Sequence, residues 1–424
     1  MSNFTGRYLI FGFLACLASS ANALDGRVLN AKTHAGIAGA TVTYGTAVVT
    51  TDGSGRYRFD GAGDTVFARA VGFKASKVAA SRNGTTDIEL APFQPRALYL
   101  SVYGVGSKAL LGSALALAHE GSINAVVVDV KGDRGIIPYP TAIPLALKDG
   151  ARKMTTIPDL SALVARLHHD GIYTIARIVV FKDMPLTTAR PDLAVRRSNG
   201  AVYVDREGLA WADPFQQEVR NYNIAIAVEA ARAGFDEIQF DYVRFPGIGE
   251  NLRFAQEPTE AARVKAIDDF LAQAREQLAP YNVFLGVDIF GYVLWNTNDT
   301  GIGQQLEEII KHVDYISPML YPSGFQFGIP GVPKPVDHPY EIVRDSLDNA
   351  TRRVKISPER FRPWLQAFTD YAFDHRRFDS VEVQAQTRAA RDFGADGWLL
   401  WNPRNQYGNL GLASAQGDEV KAGK

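Results

Sequence analysis

The chain has 424 residues, with 45 Lys and Arg against 46 Asp and Glu. That length exceeds one small domain and suits a module followed by a barrel, since single barrels run to about 250 residues. The near-balanced charge provides no overall field to draw the protein to nucleic acid or anionic lipid, so a neutral substrate is expected.

The first 23 residues read as a secretory signal. Arg7 supplies the positive start, Tyr8 to Leu17 is apolar apart from small residues, and Ala21-Asn22-Ala23 is a small-x-small cleavage site, so the mature chain is expected to begin near Leu24. The single cysteine, Cys16, lies inside this segment. A lipoprotein reading of Cys16 exists, but Phe13-Leu14-Ala15 is a poor lipidation signal, and export to a periplasm or beyond the cell is the main expectation. No later stretch reaches the roughly 20 uncharged residues of a membrane span.

From Asp25 to about Leu90, Val- and Thr-rich stretches alternate with Gly, Asn and Asp. Ala40-Thr-Val-Thr-Tyr44, Ala47-Val-Val-Thr-Thr51 and Gly55-Arg-Tyr-Arg-Phe59 read as strands, and turns such as Asp52-Gly53-Ser54-Gly55 suggest a small antiparallel β-sandwich over residues 24–91. Gly26-Arg-Val, Ala38-Gly-Ala-Thr-Val and Thr51-Asp-Gly-Ser-Gly-Arg-Tyr-Arg-Phe resemble the carboxypeptidase-regulatory-like, transthyretin-like fold, which implies a non-catalytic module. Two prolines make residues 92–96 a stiff linker.

Beyond Arg96, apolar runs alternate with amphipathic helices, as in βα repeats around a parallel sheet. The expected strands are Ala97–Val102, Ala125–Lys131, Tyr173–Val179, Glu237–Tyr242, Val283–Phe290, Tyr315–Leu320, Pro363–Phe368 and Gly397–Trp401. They predict an α/β fold, a (β/α)₈ barrel over residues 97–410, with residues 411–424 as a disordered tail. Gly121, Gly171, Gly234 and Gly394 each stop a helix just before a strand. The long connections all follow strands, at 132–158, 182–214, 246–260 and 321–340, so elaboration falls on the rim where barrel enzymes keep their sites.

Polar residues recur at the strand ends. The second strand offers Asp129 and Lys131 on one face, the third Arg177, the fourth Asp241, Tyr242 and Arg244, and the fifth Asp288. The sixth offers Tyr321, the seventh Gln366, and the eighth Trp401 and Asn402. One such residue is an ordinary helix cap or ion pair. Converging carboxylates and cations would be costly to bury for stability alone. Glycosidic cleavage needs one carboxylic acid and one carboxylate, and Asp241 and Asp288 end neighbouring strands. Tyr242, Tyr321 and Trp401 suit sugar rings as substrate-binding faces, while Trp364 and Trp398 read as core. No zinc-binding histidine spacing, Gly-x-Ser-x-Gly elbow or phosphate loop occurs, so neither a metal nor a cofactor is expected.

Six segments carry a further likeness: Val127-Val-Asp-Val-Lys-Gly132, Ile175-Ala-Arg-Ile-Val179, Phe235-Asp-Glu-Ile-Gln-Phe-Asp-Tyr-Val-Arg-Phe-Pro246, Gly286-Val-Asp-Ile-Phe-Gly291, Tyr315-Ile-Ser-Pro-Met-Leu-Tyr-Pro322 and Gly397-Trp-Leu-Leu-Trp401. Through them the second domain resembles a bacterial family of glycoside-hydrolase-like barrels of unknown function. That family is related to the α-amylase-like barrels and, more distantly, to the hydrolase domain that processes poly-N-acetylglucosamine. The resemblance implies that Asp241 is the nucleophile or charge stabiliser and Asp288 the proton donor. The α-amylase-like enzymes usually carry Glu at the fifth strand, which leaves Asp129 and the loop residue Glu250 as alternative acids. The expected substrate is an extracellular or cell-envelope polysaccharide, and the alternatives are a non-catalytic glycan-binding or scaffolding barrel, or a transglycosylase.

Overall fold

The computed structural model describes residues 23–60, 63–81, 84–247, 251–408 and 410–412. The expected signal segment up to Asn22, the alternative acid Glu250, and residues 413–424 of the expected tail lie outside the described residues.

The N-terminal part forms two small sheets packed face to face. One orders Arg56–Asp60, Ala23–Asn30 and Ile88–Leu90; the other orders Ala47–Thr50, Thr41–Tyr44, Thr65–Arg69 and Ser76–Ala79. Alternate residues Val42, Tyr44, Tyr57, Phe59, Val66 and Ala68 point inward and make the core between them. Pairing is antiparallel except where Ile88–Leu90 runs parallel to Val28–Asn30, so the sandwich departs from purely antiparallel pairing at its closing strand.

All eight expected barrel strands form: Arg96–Leu100, Ala125–Lys131, Tyr173–Val179, Glu237–Asp241, Phe284–Phe290, Tyr315–Met319, Trp364–Gln366 and Trp398–Trp401. They close into one parallel barrel in chain order, the eighth beside the first. Outward residues such as Val126, Val128, Ile238, Phe240, Val287 and Ile289 join the helices in the main core. Inward residues such as Val127, Ile175, Trp364 and Leu399 fill the barrel itself. Each of Gly121, Gly171, Gly234 and Gly394 has positive φ, between 75° and 102°, the left-handed geometry that ends a helix without strain only at glycine.

The sandwich caps the N-terminal floor of the barrel. Phe93 packs on Tyr173 with ring centroids 5.2 Å apart, the Gly72 N–H donates to the Tyr315 hydroxyl at 3.1 Å, and buried Arg69 reaches Asp314 at 2.8 Å. The opposite mouth is left to the long loops. After the third strand, the excursion from Lys182 to Asp213 folds back on itself through bridges Lys182 to Trp211 and Val204 to Ala210, and its Arg196–Arg197 pairs with Leu252–Arg253.

Candidate active site

Strand alternation sends Asp129, Arg177, Asp241 and Asp288 to the inside of the barrel at its C-terminal end, where Arg177 is opposite Asp129 and Asp288 opposite Ser317 in the pairing. Arg177 is the hub. Its Nε and Nη2 donate to Asp241 Oδ2 at 2.9 and 2.6 Å, its Nη1 to Asp129 Oδ1 at 2.7 Å, and its Nη2 also to Asp133 Oδ1 at 2.8 Å. The flat guanidinium has the fork needed to serve several carboxylates at once. Its carbon lies 4.8 Å from the Trp401 ring centroid and 5.3 Å from that of Tyr99, and those two rings stack at 3.9 Å.

The carboxylates differ in their surroundings. Asp241 receives the Arg177 pair on one oxygen and the Tyr242 N–H on the other at 2.6 Å. Tyr242 holds φ at 52°, a left-handed conformation that costs a non-glycine residue about 1–3 kcal/mol, and this kink turns its amide toward the Asp241 carboxylate. Asp129 accepts from the Tyr99 hydroxyl at 2.7 Å; burial outweighs the Arg177 attraction and pushes its pKa up to about 6.

Among the described residues Asp288 has no cationic hydrogen-bond partner. Its Oδ1 accepts from Trp364 Nε1 at 2.7 Å, and its Oδ2 is buried with no partner among them. Burial first, and the neighbouring Asp241 charge second, raise its pKa well above the usual carboxylate range. The same two carboxylates act on Tyr321, whose phenol is raised mainly by burial and further by Asp288 and Asp241. A desolvated acid beside an arginine-held carboxylate is the arrangement that separates proton donor from anion in acid/base chemistry.

The remaining expected residues are more scattered. Tyr242 and Arg244 form an adjoining wall with the loop after the third strand: the Arg244 guanidinium is 4.7 Å from the Trp211 ring and 5.2 Å from Tyr242, and Lys182 Nζ is 4.6 Å from Tyr242. Lys182 is itself paired with Glu207 at 2.6 Å and Asp205 at 3.2 Å.

Lys131 is not at the mouth, contrary to the expectation that it shares a face with Asp129. The pairing of the second and third strands shifts register after Arg177 and Asp129, so that Ile178 meets Lys131. This irregularity rotates Lys131 outward, where its buried ammonium pairs with Asp183 at 2.7 Å and donates to Asn223 on the helix Gln217–Ala233 at 3.0 Å. Gln366 is fully buried, and its amide is spent on Ser323 and the Phe368 carbonyl. Asn402 donates to the Ala367 carbonyl at 2.6 Å and accepts the Arg404 N–H at 2.9 Å. Both brace the loops behind the site.

Three neighbours went unrecognised in the sequence. Tyr99 and Asp133 complete the Arg177 network, and Trp364 is indeed core, yet its indole N–H holds Asp288. Inward alternation from Ala97 marks Tyr99. Nothing in the sequence distinguishes Asp133 from an ordinary turn residue.

Residues 97–407 match the family described as "Putative glycosyl hydrolase domain". The chain belongs to that family. Among solved structures, the PgaB (BpsB) glycoside hydrolase domain from Bordetella bronchiseptica is similar at 15% identity, TM-score 0.54, over 74% of this chain and 95% of that one, a likeness of fold. A hypothetical protein from Ruminiclostridium thermocellum ATCC 27405 is 39% identical over 45% of this chain and 96% of that one, with TM-score 0.41. No curated protein sequence matches the chain.

Proposed function

We propose that the barrel of this glycosyl hydrolase family member cleaves a glycosidic bond with Asp288 as proton donor and Asp241 as nucleophile or charge stabiliser, without a metal or cofactor. One observation carries the assignment: of two carboxylates on adjacent strands, Asp241 is held by Arg177 and a backbone N–H, while Asp288 is buried against a neutral indole with its Oδ2 unpartnered. Arg177 supplies positive charge to the first; burial, and then the anion beside it, raise the pKa of the second well above the usual carboxylate range. Asp288 then gives its proton to the leaving oxygen as Asp241 meets the positive charge growing on the sugar ring. The sugar lies between the Trp401 and Tyr321 faces. The substrate is a polysaccharide outside the cell or in its envelope, reached after export through the N-terminal signal. The sandwich, which resembles a carboxypeptidase-regulatory-like module, serves as its support.

Asp288→Asn and Asp241→Asn each lower kcat by about a thousandfold or more on a polysaccharide that the wild type degrades, as loss of a direct catalytic group does. Reducing-end release from exopolysaccharides and envelope polysaccharides measures this, and full activity in either folded variant removes that residue from the chemistry. The pH profile separates the acids. If Asp129 is the donor instead, activity falls as pH rises through about 6.

A second reading, a glycan-binding barrel without turnover, is favoured by the burial of Asp241, only 3% exposed and engaged at both oxygens. It predicts saccharide binding undiminished in both variants and no product from any polymer.

A further inference from the structure

Three rings inside the mouth tie its two carboxylates to one frame. Tyr99 from the first strand and Trp401 from the eighth lie flat on each other, with ring centroids 3.9 Å apart and 16° between the planes. Trp364 from the seventh stands edge-on to both, 6.3 Å from Tyr99 and 5.5 Å from Trp401, with 82° and 84° between the planes. The same stack carries the guanidinium of Arg177, which holds Asp241, at 5.3 and 4.8 Å from the two ring centroids. Tyr99 is itself fixed: its hydroxyl donates to Asp129, and its carbonyl accepts from Asn405 Nδ2 at 3.1 Å and from the Tyr407 hydroxyl at 2.8 Å.

Trp364 is fully buried and crosses the barrel interior to the fifth strand, two strands away, where its Nε1 donates to Asp288 Oδ1 at 2.7 Å. A buried indole N–H needs an acceptor, and a backbone carbonyl or a side-chain amide supplies one without burying an acid. The acceptor here is a carboxyl group whose other oxygen, Oδ2, has no partner among the described residues, a cost that an ordinary core contact avoids. The bond is better placed to orient the acid than to satisfy the indole. With Oδ1 accepting an N–H, a protonated carboxyl has its hydroxyl on Oδ2. The other groups that bear on Asp288, namely Asp241, Arg177, Glu237 and Tyr321, act on it through charge and form no hydrogen bond with its carboxyl.

We propose that Trp364 is a positioning residue of the mouth: backed by the Tyr99–Trp401 stack, its N–H holds Oδ1 of Asp288 and so makes Oδ2 the oxygen that carries and releases the proton. A neutral donor suits that task. A cation in the same place would favour the carboxylate, whereas an indole fixes direction and adds no charge. Because the stack also backs Arg177, the acid and the arginine-held carboxylate keep one relative position. What the proton does rests on the glycosidase reading; where it sits follows from the contacts of Trp364 alone.

Infrared difference spectra of the full-length mature protein, each background minus its Asp288→Asn counterpart, read the C=O stretch of the protonated acid at about pH 5, above the aspartate reference pKa of about 3.9. The band is present in the wild type and lies at higher frequency in Trp364→Phe, because its oxygen loses a donor. It stays in place in Trp398→Phe, a buried indole of the barrel wall. On a polysaccharide that the wild type degrades, Trp364→Phe lowers kcat about tenfold to a hundredfold with KM within about twofold. Burial and then the Asp241 charge raise the pKa of Asp288, while Arg177 and the Trp364 N–H lower it, so the alkaline limb of kcat/KM moves to higher pH. Where the smaller phenyl ring loosens the barrel, 3-benzothienylalanine at position 364, which keeps the fused rings without the N–H, gives the same shifts. No band in the wild type, a band that loss of the N–H leaves in place, or a moved band with the kcat and pH limb of the wild type overturns the inference. Wild-type turnover in Asp288→Asn together with a moved band counts against the catalytic assignment alone and leaves the hold of Trp364 on the proton standing.

Discussion

The barrel carries buried ion networks at both ends, and they are built to different rules. At the floor, Arg362 bridges Glu237 and Asp396, its guanidinium 3.7 Å from the Tyr315 ring, and Asp314 is shared by Arg69 at 2.8 Å and Arg275 at 2.7 Å. Every acid of these floor clusters has an arginine, and the sandwich covers them. At the mouth, one arginine, Arg177, serves Asp129, Asp133 and Asp241, and a fourth acid, Asp288, has only an indole. A network in which each acid has an arginine fixes a structure, even with Glu237 Oε1 and Asp396 Oδ1 left without partners; an acid-rich one leaves a proton whose position is set by burial. On the proposed function, the contrast separates charge buried for architecture from charge buried for chemistry.

Arginine substitutions break the comparison most sharply. Arg362→Met strands Glu237 and Asp396 in the floor, and removing one partner of a buried pair costs about 3–5 kcal/mol. Thermal unfolding is expected to show that loss while kcat of the folded enzyme stays near wild type. Arg177→Met strands three acids and releases Asp241, so it should lose comparable stability and about a thousandfold in kcat as well. Equal kinetic effects from both substitutions would erase the distinction between the two ends.

A smaller effect tests the join between sandwich and barrel. Burial opposes ionisation of Asp314, but Arg69 and Arg275 hold its pKa below the usual carboxylate value. A carboxylate depressed in the folded state adds stability that is present above its unfolded pKa of about 3.9 and is lost as pH falls through the folded value. Arg69→Met leaves Arg275 in place, so the expected loss at pH 7 is about 2–3 kcal/mol, less than for a fully stranded acid. The deficit should shrink in acid, below about pH 3.9. Denaturant titrations at pH 7 and pH 3 check the sign; a deficit that grows in acid contradicts this origin.

Apolar runs alternating with amphipathic helices made the barrel legible: each expected strand formed within a few residues of its predicted limits, because strands buried on both faces read as near-continuous apolar runs. Helix-stopping glycines were legible for the same local reason. The site was readable only in part. Asp129, Arg177, Asp241 and Asp288 follow from alternation, but alternation also predicted an inward Lys131, and a single register shift sent it to the helix layer. A bulge is a property of two paired strands and leaves no mark in one. The differing fates of Asp241 and Asp288 depend on Arg177 and Trp364, which are 64 and 76 residues distant along the chain. The floor network was missed although Glu237, Arg362 and Asp396 flank apolar strands, since their pairing is likewise fixed by closure of the barrel.

The smallest expected effect bears most directly on why Asp288 is unpaired. Its folded pKa is raised, so folding is favoured with the proton on: that contribution is complete below the unfolded pKa of about 3.9 and is lost as pH climbs through the folded value. Above that unfolded pKa the unfolded chain ionises more readily than the folded one, whose buried acid resists losing its proton, and stability suffers. Asp288→Asn removes this penalty and retains an oxygen able to accept the Trp364 N–H. Although it should abolish turnover, the variant is expected to be more stable at pH 7 by about 1–2 kcal/mol, a rise of roughly 2–4 °C for a domain of this size. The difference should vanish near pH 3, where both states of the wild type bind the proton. A variant that melts lower at pH 7, or whose advantage persists unchanged at pH 3, would mean that Asp288 is ionised and stabilising in the native barrel, and the proton donor would have to be sought among the other acids of the mouth.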